Sequence, residues 1–290
     1  MAENSNDIPI EAWNTILFDK FVRFRRVLTA GLEEHGEAAL ARAAYRAGAR
    51  VLDVGCGFGD TTLAIAGMVG PGGAAVGVDC AENFIAVATK EAAEAGAANA
   101  AYFVADVQTE NLHGPYDHAF ARFGTMFFNM PGAALRNIAR ALKPGGDFTM
   151  VVWRKREDNP WVHDAEQIVR EMVPVVAHED TTEVHCGPGP FSMAGADMVS
   201  DMMAAAGFRR IGFERHDCDI CIGADMDEAV AFAMALGPAG EIIRLAGAEG
   251  ERLAPKVSEA LRMLFAKRRR SDGSIWAGSS SWIVRGEIPR

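Results

Sequence analysis

Short apolar runs alternate along the first half of the chain with longer, alanine-rich stretches of helical periodicity. The runs have the length and composition typical of strands, and they span 50–54, 74–79, 100–106, 116–123 and 147–153. The helices predicted around them span 61–69, 81–96 and 131–142, and the last of these ends at "KPGG". This alternation predicts an α/β fold in which helices cover a parallel sheet.

Residues 154–196 break the alternation. They are rich in proline, charged and aromatic residues, and they contain a single clear helix at 164–173. Long irregular stretches of this kind are often lids or binding segments. We therefore predict a core domain at 46–153, followed by a lid or acceptor-binding insertion at 154–196.

The regular pattern returns at 197–290, which we predict to complete the core sheet and to carry a helical insertion at 225–270. Ahead of the core, apolar residues recur near helical spacing, at Ile16, Leu17, Phe21, Phe24 and Leu28. This spacing predicts an N-terminal helical cap over residues 1–45.

The most distinctive segment is "RVLDVGCGFGDTT" at 50–62, in which Gly55, Gly57 and Gly59 follow one acid, Asp53. A glycine loop after a strand usually cradles a phosphate. The dinucleotide fingerprint would need a glycine at position 60, where this chain has Asp60. An NAD-dependent oxidoreductase is therefore disfavoured, although it stays an alternative.

Three acids lie at or near the ends of the first three predicted strands, one strand–helix unit apart: Asp53, Asp79 and Asp106. Ligands of doubly wound sheets bind at these strand ends. An acid after the second strand can accept both hydroxyls of a ribose, and one after the third can accept from an adenine amine. An acid beside the loop would repel a pyrophosphate and suit a cation. Adenine, ribose and a positive charge together describe S-adenosylmethionine.

The segments "VLDVGCGFGDTT", "GVDCAENFI", "ADVQ" and "LKPGGDFTMVVW" resemble, in order and spacing, the motifs of class I S-adenosylmethionine-dependent methyltransferases. The similarity is greatest to the ubiquinone and menaquinone methyltransferase-like branch, and it covers about 45–155. It implies a Rossmann-like, doubly wound seven-stranded sheet and methyl transfer to a small-molecule acceptor. A non-methylating or dealkylating transfer with another carrier stays open on the same fold.

The resemblance also implies which residues contact the cofactor. Asp53 would face the methionine amino group, Asp79 the ribose and Asp106 the adenine amine. The other implied cofactor residues are Gly55, Cys56, Gly57, Gly59, Cys80, Val107, Arg122 and Phe123. Many relatives have a smaller or neutral residue near the position of Arg122, so this side chain would bind the methionine carboxylate or an anionic substrate.

The acceptor is expected where aromatic and methionine residues follow the fourth strand and enter the lid. The predicted acceptor residues are Trp13, Met126, Phe127, Trp153, Trp161 and Phe191. Packing of the lid on the sheet explains several of them equally well. The candidates for a general base are His163 and His185, and a base is needed only if the acceptor must lose a proton.

The composition of the chain bears on which classes of binding partner and which cellular compartment to expect. The 290 residues carry a formal charge of −10, which argues against a nucleic-acid partner. No apolar run approaches the length of a membrane span, no secretory signal is evident, and the five scattered cysteines fit a reducing cytoplasm. Cys218 and Cys221 lie three apart on a predicted strand and so point to opposite faces, and we predict no metal. The oligomeric state is not defined, a homodimer being one option.

Overall fold

The fold is that of a computed structural model, which describes residues 7–174 and 189–290. The described strands are β1 (Arg50–Val54), β2 (Ala74–Asp79), β3 (Ala100–Val104), β4 (Tyr116–Arg122), β5 (Leu142–Trp153), β6 (Arg209–Gly223) and β7 (Ile275–Glu287). They form one seven-stranded sheet in the order β3-β2-β1-β4-β5-β7-β6. Strands β1 to β5 pair in parallel, whereas β7 runs antiparallel to both β5 and β6.

Strand β1 pairs with β2 on one side and with β4 on the other, so the strand order reverses there. Crossovers to the two sides leave a crevice above the carboxyl end of β1, where ligands bind in doubly wound sheets. The structure confirms the predicted α/β, Rossmann-like fold.

The described helices are α1 (Asp7–Asn14), α2 (Ile16–Arg23), α3 (Arg25–Leu28), α4 (Glu33–Ala43), α5 (Asp60–Val69), α6 (Glu82–Glu94), α7 (Pro131–Ala141), α8 (Pro160–Met172), α9 (Ala196–Ala205), α10 (Met226–Ala235), α11 (Gly237–Leu245) and α12 (Gly247–Ala266). No described helix combines the length and the apolar character that crossing a membrane requires.

Alternate strand residues enter two separate cores, as the two-residue period of a strand requires. Val51 and Val151 pack with α4 and α5 on one face. Leu52 and Val152 pack with α7 and α9 on the other. Apolar burial on both faces explains why the central strands are continuous apolar runs rather than alternating ones.

The helices ahead of β1 bridge two distant parts of the fold. Asn83 on α6 donates from Nδ2 to the Asn14 carbonyl at 2.7 Å, and Lys20 donates to the Ala235 carbonyl at the end of α10 at 2.9 Å. The segment α1–α3 therefore lies between the helix that follows β2 and the helices α10–α12, which are inserted between β6 and β7.

Several elements differ from the sequence-based expectations, among them β5, α8 and α11. Strand β5 begins at Leu142 rather than at 147, because Leu142 already pairs with Tyr116 before an irregularity and regular pairing resumes at Asp147. Helix α8 begins at Pro160, and α11 was not predicted at all. Its sequence "GPAGEIIRL" suggests a turn, yet Pro238 occupies a first-turn position, where a missing N–H costs nothing.

Candidate functional site

The loop between β1 and α5 is a tight left-handed path. The φ angle is 68° at Gly55, 51° at Gly57 and 82° at Gly59, a region that other residues rarely occupy. A Cβ on Gly59 would lie 2.8 Å from atoms of both Ala88 and Tyr102. A Cβ on Gly57 would meet no atom within 4 Å. The loop is thus packed on its inner side at Gly59 and open above Gly57.

Asp79, the last residue of β2, holds the loop through its carboxylate. Oδ2 accepts the N–H of Gly57 and Oδ1 the N–H of Ala81, both at 3.0 Å. Burial raises the pKa of this carboxyl, and the two backbone N–H groups oppose that shift. The carboxylate is fixed in orientation, and the backbone N–H and thiol of Cys80 also interact with it.

Asp53 lies beneath the same loop and is 1% exposed. Its Oδ2 accepts from the Thr62 hydroxyl at 2.6 Å. Burial raises the pKa of Asp53 to about 7; the Thr62 hydroxyl and the nearby Arg122 act against the shift, and the neighbouring Asp60 carboxylate adds to it. Asp53 therefore changes charge close to neutral pH.

Asp106 lies two residues beyond the end of β3 and is buried. Its Oδ1 accepts from the backbone N–H and the side-chain amide of Gln108, at 2.9 and 3.0 Å, and its Oδ2 accepts from the Thr109 hydroxyl at 3.2 Å. The neighbouring Val107 is also buried, and its carbonyl accepts from Asn137. This turn fixes the third acid at the edge where Asp53 and Asp79 lie.

Arg122, at the end of β4, forms an ion pair with Asp60, the first residue of α5. Its aliphatic stem crosses Gly36 of α4, where a Cβ would come within 2.9 Å of Cδ. Phe123 follows with φ at +57°, and its N–H donates to the Val151 carbonyl. Any anion that binds Arg122 must share it with Asp60, a neighbour that the sequence-based analysis treated only as a missing glycine.

The cysteines predicted beside the cofactor are held as neutral thiols. The N–H groups of Gly55 and Cys56 both donate to the Val78 carbonyl, which ties the loop to β2. Burial raises the pKa of Cys56 well above its usual value. Burial and the adjacent Asp79 raise the pKa of Cys80 to about 12. Neither thiol is set up as a nucleophile.

An aromatic cluster joins the N-terminal helices to the glycine loop. The Trp13 ring meets the rings of Phe21 and Phe127 edge-on, at centroid distances of 5.3 and 5.2 Å, and lies 6.5 Å from Phe84. Phe84 in turn packs at 4.9 Å against Phe58 of the loop. Trp13 and Phe127, both predicted acceptor residues, are thus brought together beside the loop.

A second aromatic group lies beyond the ends of β4 and β5. Phe123 stacks on Trp153 at 4.0 Å, and Trp153 lies 5.3 Å from Trp161 of α8. Trp161 stacks on Phe232 of the inserted helices at 6.1 Å, and His35 meets Trp153 edge-on at 5.1 Å. Trp153 is buried in the core, so it forms the inner wall of this region.

Met126 is also buried, at 1% exposure, and its backbone anchors the end of the predicted lid. Its carbonyl accepts from the Gly189 N–H at 3.0 Å and from the Ser192 hydroxyl at 2.6 Å. Phe191 lies between Gly189 and Ser192 in the chain, and the Arg156 guanidinium lies 5.5 Å from the centre of its ring. The segment after residue 188 therefore closes directly onto the turn that follows β4.

Of the two histidines proposed as general bases, the structure describes only His163. His185 lies outside the described residues. His163 lies on α8, two residues after Trp161, and at 100° per residue it projects about 200° around the helix from it. Its Nδ1 is buried and has no hydrogen-bond partner among the described residues. The structure does not bring His163 to the aromatic group, and its role stays a prediction.

Sequence reasoning missed one polar cluster. His35 of α4 is fully buried, with Nε2 2.7 Å from the Ser279 hydroxyl and Nδ1 2.8 Å from the Ser281 hydroxyl. Cys218 places its sulfur 3.3 Å from the same Nε2, and the His216 ring lies 5.2 Å from the His35 ring. Alternation on one strand could have paired His216 with Cys218, but no local signal points to His35.

The reversal of strand order, the open glycine loop and three acids on one edge define a class I S-adenosylmethionine-dependent methyltransferase fold. In line with this, residues 51–146 match a family described as a methyltransferase domain. Over this third of the chain the sequence is similar to methyltransferase domains, and the fold is of the Rossmann-like class I type.

Relatives and solved structures agree with this assignment. Nocamycin O-methyltransferase of Saccharothrix syringae is 30% identical over 60% of this chain and 64% of its own length, so the chain spans less than two thirds of that relative. Demethylmenaquinone methyltransferase of Shouchella clausii is 26% identical over 61% of this chain and 77% of its own length. The YcgJ protein of Bacillus subtilis has a TM-score of 0.58 at 19% identity, covering 89% of this chain and 99% of that one, and it shares the fold.

Proposed function

We propose that this protein transfers a methyl group from S-adenosylmethionine to a small-molecule acceptor with an extended apolar surface. The observation that carries the proposal is the Asp79 carboxylate. Two backbone N–H groups orient it at the end of β2, beside a glycine loop that is open above Gly57.

The cofactor fits the residues of this edge. Asp79 presents two oriented carboxylate oxygens at the end of β2, which suits the two hydroxyls of a ribose. The missing Cβ of Gly57 leaves room for close approach of a ligand to the backbone. Asp106, one strand–helix unit further on, supplies the acceptor that an adenine amine requires.

Asp53 adds selectivity for a cation. With a pKa of about 7, it is half protonated at neutral pH when no ligand is bound. A ligand ammonium group nearby would draw off this proton, because an opposite charge stabilises the carboxylate. A pyrophosphate at the same place would instead raise the pKa of Asp53 further and leave it neutral, so only a cationic ligand gains from its charge, which argues for a sulfonium cofactor over a dinucleotide.

The acceptor end is aromatic. Trp153 and Trp161 form a continuous apolar wall with Phe232, while Trp13 and Phe127 close the side nearer the loop. The relatives reported above are named for nocamycin and demethylmenaquinone. Because Trp153 and Phe232 are buried, we propose that a flat acceptor lies against the partly exposed rings of Trp161, Trp13 and Phe127, with its nucleophilic atom directed towards the glycine loop.

Catalysis then rests mainly on positioning. S-adenosylmethionine supplies a methyl group already activated by its sulfonium. With the cofactor bound, the acceptor atom would displace this methyl in line, and the sulfur would leave as a neutral thioether. The aromatic wall holds the acceptor in line and keeps water out, which are the contributions such a displacement needs. His163 and His185 remain our proposals for a base if the acceptor carries a proton.

The test pairs binding with turnover. Calorimetry should show micromolar binding of S-adenosylhomocysteine and no heat with NAD. Labelled methyl from S-adenosylmethionine should appear on hydroxylated aromatic acceptors, such as quinols, but not on small aliphatic alcohols. Binding of NAD in place of S-adenosylhomocysteine would overturn the proposal, and so would cofactor binding without transfer to any acceptor of this class.

A further inference from the structure

Three potential metal ligands converge where the N-terminal helix α4 meets the edge of the sheet. The ligand atoms of His35, His216 and Cys218 all lie within 4.8 Å of one another. We propose that these side chains form a zinc site that joins α4 to β6. The mixture of two imidazoles and one thiolate is a donor set that Zn²⁺ favours.

The backbone explains why the cluster forms. His216 and Cys218 are two apart on β6 and therefore project from the same face. In the antiparallel register His216 lies opposite Ser281 and Cys218 opposite Ser279, so two hydroxyls line the same face of β7. The side chain of His35, on α4, packs against these four residues of β6 and β7. The cluster is thus a product of helix-on-sheet packing and not of a short sequence motif.

The hydrogen bonds of His35 suit a metal ligand. Nδ1 lies 2.8 Å from the Ser281 hydroxyl, and Nε2 lies 2.7 Å from the Ser279 hydroxyl, which donates to the Cys218 carbonyl. Metal binding through Nε2 requires the tautomer in which Nδ1–H donates to Ser281, with the Ser279 hydroxyl displaced. Such an outer hydrogen bond typically fixes the tautomer of a metal-bound histidine.

The separation of His35 and Cys218 is close to that of a tetrahedral site, and the ligand atom of His216 lies within 4.8 Å of both. Zn–N and Zn–S bonds of about 2.0–2.3 Å place neighbouring ligand atoms roughly 3.3–3.6 Å apart. Cys218 Sγ lies 3.3 Å from His35 Nε2 and 3.7 Å from the Ser279 hydroxyl. The hydroxyl itself is 2.7 Å from Nε2, so it must move out by some tenths of an ångström to admit an ion. Ser279 or a water then supplies the fourth ligand.

His216 provides an independent indication. Its Nε2 is buried and has no hydrogen-bond partner among the described residues. Buried polar atoms of this kind usually have a partner, and a bound ion would provide one. Because β6 is an edge strand and the His216 and Cys218 side chains are half-buried, an ion can enter from the side of the sheet.

Zinc binding would release one proton from the protein. Cysteine binds zinc as the thiolate, so the Cys218 thiol must lose its proton when the ion binds. Forming the Zn–S bond releases that proton to solvent, while both imidazoles bind as neutral ligands. The ion would hold α4 against β6 directly behind Trp153, whose ring His35 contacts at 5.1 Å. Its role is therefore to stabilise the wall of the acceptor region.

The test uses cobalt as a spectroscopic probe on the full chain after treatment with a chelator. One Co²⁺ per chain should give tetrahedral d–d bands and a thiolate-to-cobalt charge-transfer band, and Zn²⁺ should displace it. The change Cys218→Ser should abolish the charge-transfer band, whereas the matched control Cys221→Ser, on the same strand, should keep it. His216→Asn is the second variant, and the melting temperature of each variant reports whether it folds.

Removal of a direct ligand should weaken binding by more than about 100-fold, since loss of an outer hydrogen bond already costs about 10–100-fold. Ser281→Ala should accordingly lower the affinity about tenfold and leave the band positions unchanged. Absence of stoichiometric binding would overturn the proposal. So would a charge-transfer band that survives in Cys218→Ser or disappears in Cys221→Ser. These readouts do not depend on methyl transfer, so they stand or fall separately from the proposed function.

Discussion

The two ends of the sheet are built in different ways. At the carboxyl ends of β1 to β3, which we call the cofactor edge, neighbouring segments of the chain supply both the glycine loop and its acids. Backbone N–H groups orient the Asp79 carboxylate there. At the antiparallel edge, the side chains that meet are far apart in the chain, since His35 contacts Cys218 across 183 positions and Ser281 across 246. The contrast shows that a parallel sheet concentrates one site by its topology, whereas the other depends on how α4 docks.

Burial shifts the pKa of one residue at each edge, and the two shifts are in opposite directions. It raises the pKa of Asp53 to about 7 and lowers that of His35 to about 3. In both cases the charged form is the one that desolvation penalises. Desolvation therefore favours the neutral form of both the acid and the base. Their contributions to the pH dependence of stability can be separated by measurements on variants.

The largest effect is expected from the packed inner side of the loop. Gly59→Ala combines a left-handed φ of 82° with a Cβ 2.8 Å from Ala88 and Tyr102. We expect a loss of about 3–4 kcal/mol in the free energy of unfolding, from strain and overpacking together. Gly70→Ala is the control, because it has φ of 67° but no atom within 4 Å of the new Cβ, and it should cost about 1 kcal/mol. Equal losses in urea denaturation would show that steric packing at Gly59 is unimportant.

The next largest effect tests the cofactor edge by affinity. Asp79→Asn removes the charge and one of the two acceptor oxygens, so the affinity for S-adenosylhomocysteine should fall about 10–100-fold by calorimetry. Asp117→Asn is the matched control. Asp117 also accepts a backbone N–H, that of Arg50 at 2.9 Å, but it lies near the start of β4 and away from the loop. If both variants bind the ligand as the native protein does, Asp79 does not hold the ribose.

A third experiment compares the pH dependence of the two edges. Between pH 3.8 and about 7 the folded protein binds an extra proton at Asp53, so this carboxyl makes the free energy of unfolding fall as pH rises. Between about 3 and 6.5 the unfolded chain binds the extra proton at His35, so the imidazole makes stability rise with pH. Each contribution is at most about 1.4 kcal/mol per pH unit.

The two variants should therefore change the pH slope of stability in opposite directions. In urea denaturation from pH 4 to 7, Asp53→Asn should make the slope more positive, and His35→Gln should make it more negative. The slopes are compared, rather than the absolute stabilities, because each substitution also alters packing. Two slopes that move together would contradict the separate assignments.

The smallest effect concerns the docking of the N-terminal helices. Arg25 pairs with Glu91 of α6 at 2.5 Å and lies 4.3 Å above the Phe58 ring of the loop. Both groups of the pair are about one third exposed, so Arg25→Met should cost less than about 1 kcal/mol. Arg252→Met, at the exposed Glu249 pair of α12, is the control and should be nearly neutral. A large loss of S-adenosylhomocysteine affinity in the first variant would mean that the cap controls the cofactor directly.

The sequence was most informative where structure is local. The predicted bounds of β1 and β2 are those of the structure, because each is an apolar run between turn residues, and the spacing of Asp53, Asp79 and Asp106 reflects the repeated strand–helix unit. Helix α11 was missed because Gly237 and Pro238 suggest a turn.

Side-chain partners were harder to predict. Arg122 was predicted to bind the methionine carboxylate or an anionic substrate, which stays a prediction, and its pairing with Asp60, which depends on how α5 packs beside β4, was not foreseen. The His35 cluster depends on a helix and a hairpin nearly the whole chain apart. Neither contact leaves a periodic trace in the sequence, and both follow from tertiary packing alone.

The position of β7 between β5 and β6 has a consequence for how the chain is made. Strand β6 ends at Gly223, and its partner β7 does not begin until Ile275. During synthesis β6 therefore emerges as an unpaired strand, and it must wait for three helices before its neighbour is available. Unpaired strands favour association with other chains. The interval before β7 arrives is when a newly made copy of this protein is most exposed to aggregation and most in need of a chaperone.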